Sequence, residues 1–312
     1  MKIVIPGGSG QVGAVLARAF QRDGHEVVVL SRSPQKQSWR VVAWEPPKLG
    51  DWTAELDGAD VVINLAGRSV NCRYHAANRE EIVRSRVDSV KALGDAIRSL
   101  KCPPKVWLQA STATIYAHRY DAPNDEATGI VGGLEPDAPD TWRFSIEVAT
   151  AWEKALDEAE TPGTRKVKLR SAMIMSPDRN GIFDTLLELA RRGLGGTAAD
   201  GRQFISWIHE ADFIRSIYWL IDHPEVDDAV NLASPNPLPN REFMAALRRA
   251  AGVKFGLPAT RWMLEIGAIF MRTETELILK SRRVVPGRML KAGFTFQYPD
   301  WSVAARELCN RC

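Results

Sequence analysis

No apolar run in the 312-residue chain approaches the roughly 20 residues needed to span a bilayer. The opening stretch, Met1-Lys2-Ile3-Val4-Ile5, passes directly into glycines. It lacks the longer apolar segment and small-residue cleavage site of a signal peptide, so a cytoplasmic protein without a membrane partner is expected. Cysteine is scarce, at four residues. Cys72 and Cys102 stand alone. Cys309 and Cys312 have C-x-x-C spacing, but they lie at the extreme C-terminus, away from any strand-to-helix turn, and read as a tail rather than a redox pair. A charge excess is also missing: 41 basic against 38 acidic residues give +3. That balance argues against nucleic acid or an anionic membrane surface as a partner and leaves room for a local basic pocket for a phosphorylated ligand. Internal repeats and low-complexity tracts are absent, and no metal site is expected. With 45% hydrophobic and 25% charged residues, the composition is that of a globular protein with a large core. Nothing in the sequence indicates an oligomeric state.

Strands and helices alternate through the first half. Residues 2–5, 26–30, 60–65, 105–110 and 167–175 read as strands. The run at 60–65 is almost continuously apolar, as in a strand buried on both faces. Helical periodicity marks 11–23, 80–100 and 142–160, with Gly24 as a C-terminal stop. Repeated β-α-β with short links means a parallel sheet with right-handed crossovers. The second half is less regular: a glycine-rich loop over 193–201, a short strand over 204–208, and a helix over 212–222. A proline-broken hinge follows over 234–240, then helices over 242–251 and 262–282. The expected fold is α/β, a Rossmann-type doubly wound parallel sheet with a smaller, mainly helical C-terminal substrate lobe. The expected domains are 1–235, binding the cofactor, and 236–312, with 176–203 contributing to the substrate lobe.

Pro6-Gly7-Gly8-Ser9-Gly10-Gln11-Val12-Gly13 follows the first strand and opens the first helix. It fits G-x-G-x-x-G from Gly8. Glycines there permit a tight turn, close approach of backbone to a pyrophosphate, and tight packing of helix on strand. The helix N-terminus offers free N–H groups and a positive dipole end. About 20 residues further on, NAD-binding proteins carry a carboxylate for the ribose 2′-OH. Here the second strand ends Leu30-Ser31-Arg32-Ser33. Arg32 suits a 2′-phosphate, with Ser31 or Ser33 as an added donor, so the expected cofactor is NADP(H).

Further motifs carry a resemblance. They are Asn64-Leu65-Ala66-Gly67, Ser85-Arg86-Val87-Asp88-Ser89, Ser111-Thr112-Ala113-Thr114-Ile115-Tyr116, residues 203–212 around Trp207, and residues 288–296 with their Gly-Phe-x-Phe ending. With the glycine loop, they make the chain resemble the extended short-chain dehydrogenase/reductase superfamily, and within it the NAD-dependent epimerase/dehydratase family. The nearest likeness is to an atypical subgroup with its own C-terminal domain. The resemblance implies that Leu65, Ala66 and Gly67 line the cofactor, with Ala110 and Ser111 beneath the nicotinamide ribose. Arg86 reads as structural. His209 fits a family His-x-x-Asp step and reads as a satisfied structural histidine, with Asp212 the N-cap of the next helix.

That superfamily uses a Ser or Thr together with Tyr-x-x-x-Lys on one helix, the tyrosine exchanging a proton with substrate oxygen while hydride moves at the nicotinamide. Thr112 matches the first position. The pair is missing: the helix register puts Phe144 at the tyrosine and Val148 at the lysine. Phe144, Val148 and Trp152 instead form an i, i+4, i+8 apolar stripe. Tyr116 is the substitute proton donor to watch. If the stripe borders the nicotinamide, the pocket is expected to be apolar, with Met173 or Met175, Trp207 and the helices after Pro239 as its outer wall. It should then favour a hydrophobic or aromatic ligand over a nucleotide sugar. Two readings remain at this level: an NADP(H)-dependent oxidoreductase or epimerase on an unknown small molecule, and a catalytically altered cofactor-binding sensor or assembly protein.

Overall fold

The computed structural model describes residues 1–135, 138–270 and 274–312. Its centre is a seven-stranded sheet, parallel throughout. The strands are β1 (Lys2–Pro6), β2 (Glu26–Ser31), β3 (Arg40–Ala43), β4 (Val61–Asn64), β5 (Val106–Thr112) and β6 (Arg165–Ser171). A short β7 (Met173–Met175), β8 (Phe204–Ile205) and β9 (Trp207–His209) follow, before β10 (Asp228–Leu232) returns to the main sheet and β11 (Leu238–Pro239) closes the series. The order across the sheet is β10-β6-β5-β4-β1-β2-β3. The chain therefore starts in the middle and winds outward in both directions, and the reversal beside β1 leaves a crevice at the carboxyl ends of the strands.

The strands from β5 to β3 contribute to two cores, because alternate side chains point to opposite faces. On one face Ile3, Ile5, Val27, Val29, Val61 and Ile63 pack on helices α1 (Gln11–Arg22) and, later in the chain, α5 (Glu210–Asp222), through Leu16, Phe20, Phe213 and Ile217. On the other, Val4, Val28, Val62 and Trp107 pack on α2 (Ala76–Arg98) and α3 (Asp140–Asp157), through Val90, Leu93, Trp152 and Leu156. A third core lies off the sheet. There α4 (Ile182–Arg191), α6 (Asn240–Ala250) and α10 (Trp301–Asn310) bury Phe183, Leu187, Phe243, Leu247 and Trp301 together with Met175 and Trp207.

The second half differs from the sequence expectation in identifiable ways. The run at 167–175 is two strands. The Ala172 N–H still bonds the Leu232 carbonyl of the main sheet, but the Met173 N–H turns to Ser206, and β7 pairs with β9 instead. The edge strand β10 and helices α4 and α10 carried no expectation. The stretch 262–282 is not one helix: α7 (Arg261–Phe270) and α8 (Glu276–Leu279) are separate, and residues 271–273 lie outside the described set. Beyond Lys280 the chain is extended. The Arg282 N–H bonds the Phe204 carbonyl, and Val284 bridges to Asn124. A short α9 (Gly287–Lys291) then leads back to the main core, where Met289 and Phe294 are buried. Among the described residues no helix is long and apolar enough to cross a membrane.

Candidate functional site

The glycine run forms the turn between β1 and α1. Gly7 has φ +73°, and a Cβ there would sit 2.6 Å from the Ala66 backbone, so no other residue fits. Gly13 lets the first turn of α1 lie on the loop; a Cβ would stand 2.3 Å from the Gly8 Cα. Gly10 differs. A Cβ on it would meet only the Gly7 carbonyl, at 3.8 Å, because that side of the loop faces an open cleft of ≈ 1060 Å³. Gly10 is also the N-cap of α1, and no side chain caps the helix. The first N–H groups of α1 are therefore left for a ligand, and the space against them suits a group with no protein atom in the way, such as a pyrophosphate. Of the neighbouring residues, Val12 packs its side chain on the sheet core and Gln11 lies against Gly181. Both can serve the cleft through backbone alone.

The cleft continues past the end of β2, where Ser31, Arg32 and Ser33 line it with Trp39. The Ser31 hydroxyl donates to the Ser9 hydroxyl at 3.2 Å and accepts from the Ser33 N–H. Arg32 is exposed. It makes no hydrogen bond or ion pair among the described residues. Arg84 of α2 lines the same cleft. Sequence reading singled out neither Arg84 nor Trp39, because nothing local links them to the glycine loop.

Across the cleft, Leu65, Ala66 and Gly67 follow β4. A buried amide network fixes this exit. The Asn64 side-chain amide donates to Gln109 Oε1 at 2.9 Å and to Ser89 Oγ at 3.1 Å, and Asn64 Oδ1 accepts from the Ala66 N–H at 3.0 Å. Gln109 Oε1 also accepts from the Trp107 indole. One side chain thus ties β4, β5 and α2 to the cofactor-side loop. Gly67 gives way to Arg86: a Cβ there would lie 3.1 Å from the Arg86 Cζ.

A smaller cavity of ≈ 250 Å³ opens beyond the end of β5, lined by residues that include Ser111, Thr112, Phe144, Val148 and Trp152. The expected apolar stripe does face it, joined by Val70 and Ile82, and most of the cavity surface is apolar, as expected; Tyr74, Arg86, Ser145, Glu276 and Arg282 add polar groups to that lining. Phe144 stacks edge-on against Tyr74, with ring centroids 5.1 Å apart, and burial pushes the Tyr74 phenol up to about 12. Arg86 donates to the Ile82 carbonyl at 2.9 Å and lies 5.0 Å over the Trp152 ring. No carboxylate pairs with it among the described residues, and burial pulls its pKa down to about 10. The sequence held a signal for this residue. Ile82, Arg86, Ser89, Leu93 and Ile97 form one helical stripe, and the others are buried. A cation on an otherwise buried stripe is unusual and marks the residue for attention.

Several expectations are corrected. Tyr116 does not reach the cavity. It is buried; its hydroxyl donates to Asn231 Oδ1 at 3.0 Å and accepts from Arg170 at 3.0 Å. Arg170 in turn grips Glu153 through two bonds, and the Ser111 hydroxyl donates to Glu153 at 2.6 Å. Tyr116 belongs to that buried network. Met175 and Trp207 are fully buried in the third core and form no cavity wall. Ala110 sits partly buried against the α2–α3 core. Thr112 lines the cavity, with its hydroxyl oxygen accepting from the Thr114 N–H at 3.1 Å. His209, rather than Asp212, caps α5, through Nδ1 accepting from the Ala211 N–H, while Nε2 meets Glu307. Asp212 receives the Gln297 and Tyr298 N–H groups, both at 2.7 Å. The C-terminal Cys312 thiol rests against the Pro177 carbonyl.

The comparisons with known proteins agree with this layout. A family model described as NAD dependent epimerase/dehydratase matches residues 3–233. A second model, described as a domain of unknown function, matches residues 259–308. The epimerase family protein SDR39U1 of Bos taurus is 29% identical, covering 99% of both chains. The epimerase family protein YfhF of Bacillus subtilis is 28% identical, over 99% of this chain and 98% of its own. Among solved structures, human epimerase family protein SDR39U1 (isoform 2) with NADPH superposes with a TM-score of 0.86 at 26% identity, covering 100% of both chains. UDP-N-acetylglucosamine 4-epimerase from Bacillus cereus, at 17% identity and a TM-score of 0.71 over 100% of this chain and 99% of its own, shares the fold. With its Rossmann-type sheet, its glycine cradle and a family model spanning three quarters of its length, the chain belongs to the NAD-dependent epimerase/dehydratase family.

Proposed function

We propose that the protein binds NADP(H) in the large cleft and exchanges hydride with a small carbonyl or alcohol ligand held in the second cavity. The observation that carries the cofactor choice is the unengaged Arg32 guanidinium at the end of β2, beside Ser31 and Ser33, where NAD-binding proteins place a carboxylate. The pyrophosphate would lie on Gly7–Gly10 and the α1 N-terminus, and the 2′-phosphate at Arg32. Arg86, unpaired and lining the small cavity beside Val148, would supply there the positive charge that the missing lysine does not. The NADPH carried by the human relative supports the same reading. A cofactor-loaded sensor would need no titratable group in this mostly apolar cavity, and the presence there of the Glu276 carboxyl with Tyr74 and Ser145 favours an enzyme.

Titration with both cofactors tests the reading. NADPH should bind more tightly than NADH by about 1.5–3 kcal/mol, the value of a hydrogen bond to a charged group, and Arg32→Glu should remove or reverse that preference. Gly10→Val should abolish binding of both while leaving the sheet folded, as circular dichroism would show. Equal wild-type affinities for the two cofactors would sink the NADP assignment.

A further inference from the structure

The small cavity contains one carboxyl group whose hydrogen bonding is incomplete. Glu276, the first residue of α8, lines it and is 1% exposed. Its Oε2 accepts the Ser145 hydroxyl. Its Oε1 is buried and has no hydrogen-bond partner. Arg282 Nη2 forms an ion pair with that oxygen at 3.7 Å but does not hydrogen-bond it, while Arg282 N–H groups reach the Thr114 hydroxyl and the Glu276 main-chain carbonyl. A buried carboxylate oxygen with no donor is costly, so the site is completed either by the carboxyl's own proton or by an O–H brought by a ligand.

The other proton-bearing groups around the cavity are less suited. Tyr116 does not reach the cavity and is locked to Asn231 and Arg170. Thr112 and Ser145 are hydroxyls of high intrinsic pKa, and the Tyr74 phenol is held at about 12. The groups facing Glu276 act in both directions. Burial is the largest influence and pushes its carboxyl above the ordinary carboxylate range; Arg282, the Ser145 hydrogen bond and Lys280 pull it down, and Glu274 pushes it up. Tyr74 and Arg86 complete the charged and titratable lining from the α2 side. Ser145 is the residue directly after Phe144, so Glu276 meets α3 one position beyond the place of the absent tyrosine.

We propose that Glu276, oriented by Ser145, is the acid–base group of the small cavity, and that the cavity takes a ligand bearing a secondary alcohol or the corresponding carbonyl. This rests on the NADP(H) reading above. A bound nicotinamide would accept hydride from the ligand carbon in the oxidising direction and supply it in the reducing one. As the ligand C–H bond breaks and C=O forms, the O–H proton passes to Glu276 Oε1. In reverse, as the carbonyl carbon receives hydride, Glu276 returns the proton to the oxygen and then recovers one from solvent.

Protein labelled with ¹³C at the glutamate side-chain carboxyl gives a direct test that needs no cofactor. The resonance missing in Glu276→Gln should titrate above those of exposed glutamates in the wild type, and higher still in Ser145→Ala, which removes the donor to Oε2. In parallel, NADPH binding and NADPH oxidation by a panel of small aliphatic and aromatic aldehydes and ketones are measured. Glu276→Gln should bind NADPH as the wild type does and lose about 100-fold or more in reduction rate, with partial recovery in Glu276→Asp. A Glu276 resonance titrating with or below the exposed glutamates would overturn the inference. So would unchanged reduction in Glu276→Gln, or a wild type that binds NADPH and reduces none of the panel. Failure of the wild type to bind NADPH would instead take down the cofactor reading, and the inference with it.

Discussion

Lys280 shows how one residue can carry a pH dependence into the whole protein. It is 1% exposed, and its ammonium donates to the Thr114 carbonyl at 2.8 Å. Burial and the nearby Arg282 lower its pKa from 10.5 to about 8. A depressed lysine binds fewer protons folded than unfolded between those values, so folding stability rises with pH across that window and is lost as pH falls through the folded pKa. The span corresponds to about 3 kcal/mol. Chemical denaturation of the wild type and of Lys280→Met, at steps from pH 7.5 to 10, should show the wild type gaining stability relative to the variant. A flat difference would place the lysine at an ordinary pKa. Single residues also mark what was readable. Gly7, Gly10 and Gly13 in the β1–α1 turn, and Arg32 after β2, stand out because each is recognised from a few neighbouring positions. Tyr116 misled for the same reason. Its place beside the strand end is local, whereas its partner Asn231 lies 115 residues away.

At the scale of elements, the exit of β4 is the part whose architecture is most exposed to test. Asn64, Ser89 and Gln109 are each 0% exposed, and their amide and hydroxyl groups satisfy one another at the heart of the sheet. The network sets the Leu65–Gly67 loop through the Ala66 N–H. Asn64→Leu keeps the volume and strands buried polar partners, which should lower stability by about 1–3 kcal/mol. It should also weaken NADPH binding, because the loop is no longer pinned. Denaturation midpoints and a cofactor titration on the same sample measure both. A variant that lost stability but bound NADPH normally would show that the loop holds its shape without Asn64. Elements of the sheet were legible because parallel strands buried on both faces are written as near-continuous apolar runs. Those at 173–175 and 204–209 were not separable, since periodicity cannot say where a chain changes sheets. That switch is made by Met173 bonding Ser206.

For the whole molecule, the last third of the chain is tied back into the first two. Asp212, 0% exposed, receives the Gln297 and Tyr298 N–H groups. Met289 and Phe294 join the main core beneath α5. These links predict one cooperative unfolding transition. Asp212→Ala leaves two backbone donors without their acceptor and should cost about 3 kcal/mol, still in a single step. Calorimetry resolving a separate low-temperature transition in the variant would show that the C-terminal part had been held by that contact alone.

The sequence by itself determined the sheet, the glycine turn after β1, the presence of Arg32 where a carboxylate is usual, and Phe144 and Val148 in place of the usual tyrosine and lysine. All four depend on short-range order: periodicity, glycine placement, and the residue at one strand end. Only the tertiary structure decided what stands where the missing pair would act. Arg86 comes from α2, Tyr74 from the loop before it, and Glu276 from α8. Those residues are separated by up to about two hundred positions and share no spacing a reader could detect. They meet because α2 and α3 pack side by side on one sheet face while the chain after α7 folds back past Thr114, and burial then gives each group a chemistry that its identity alone does not specify.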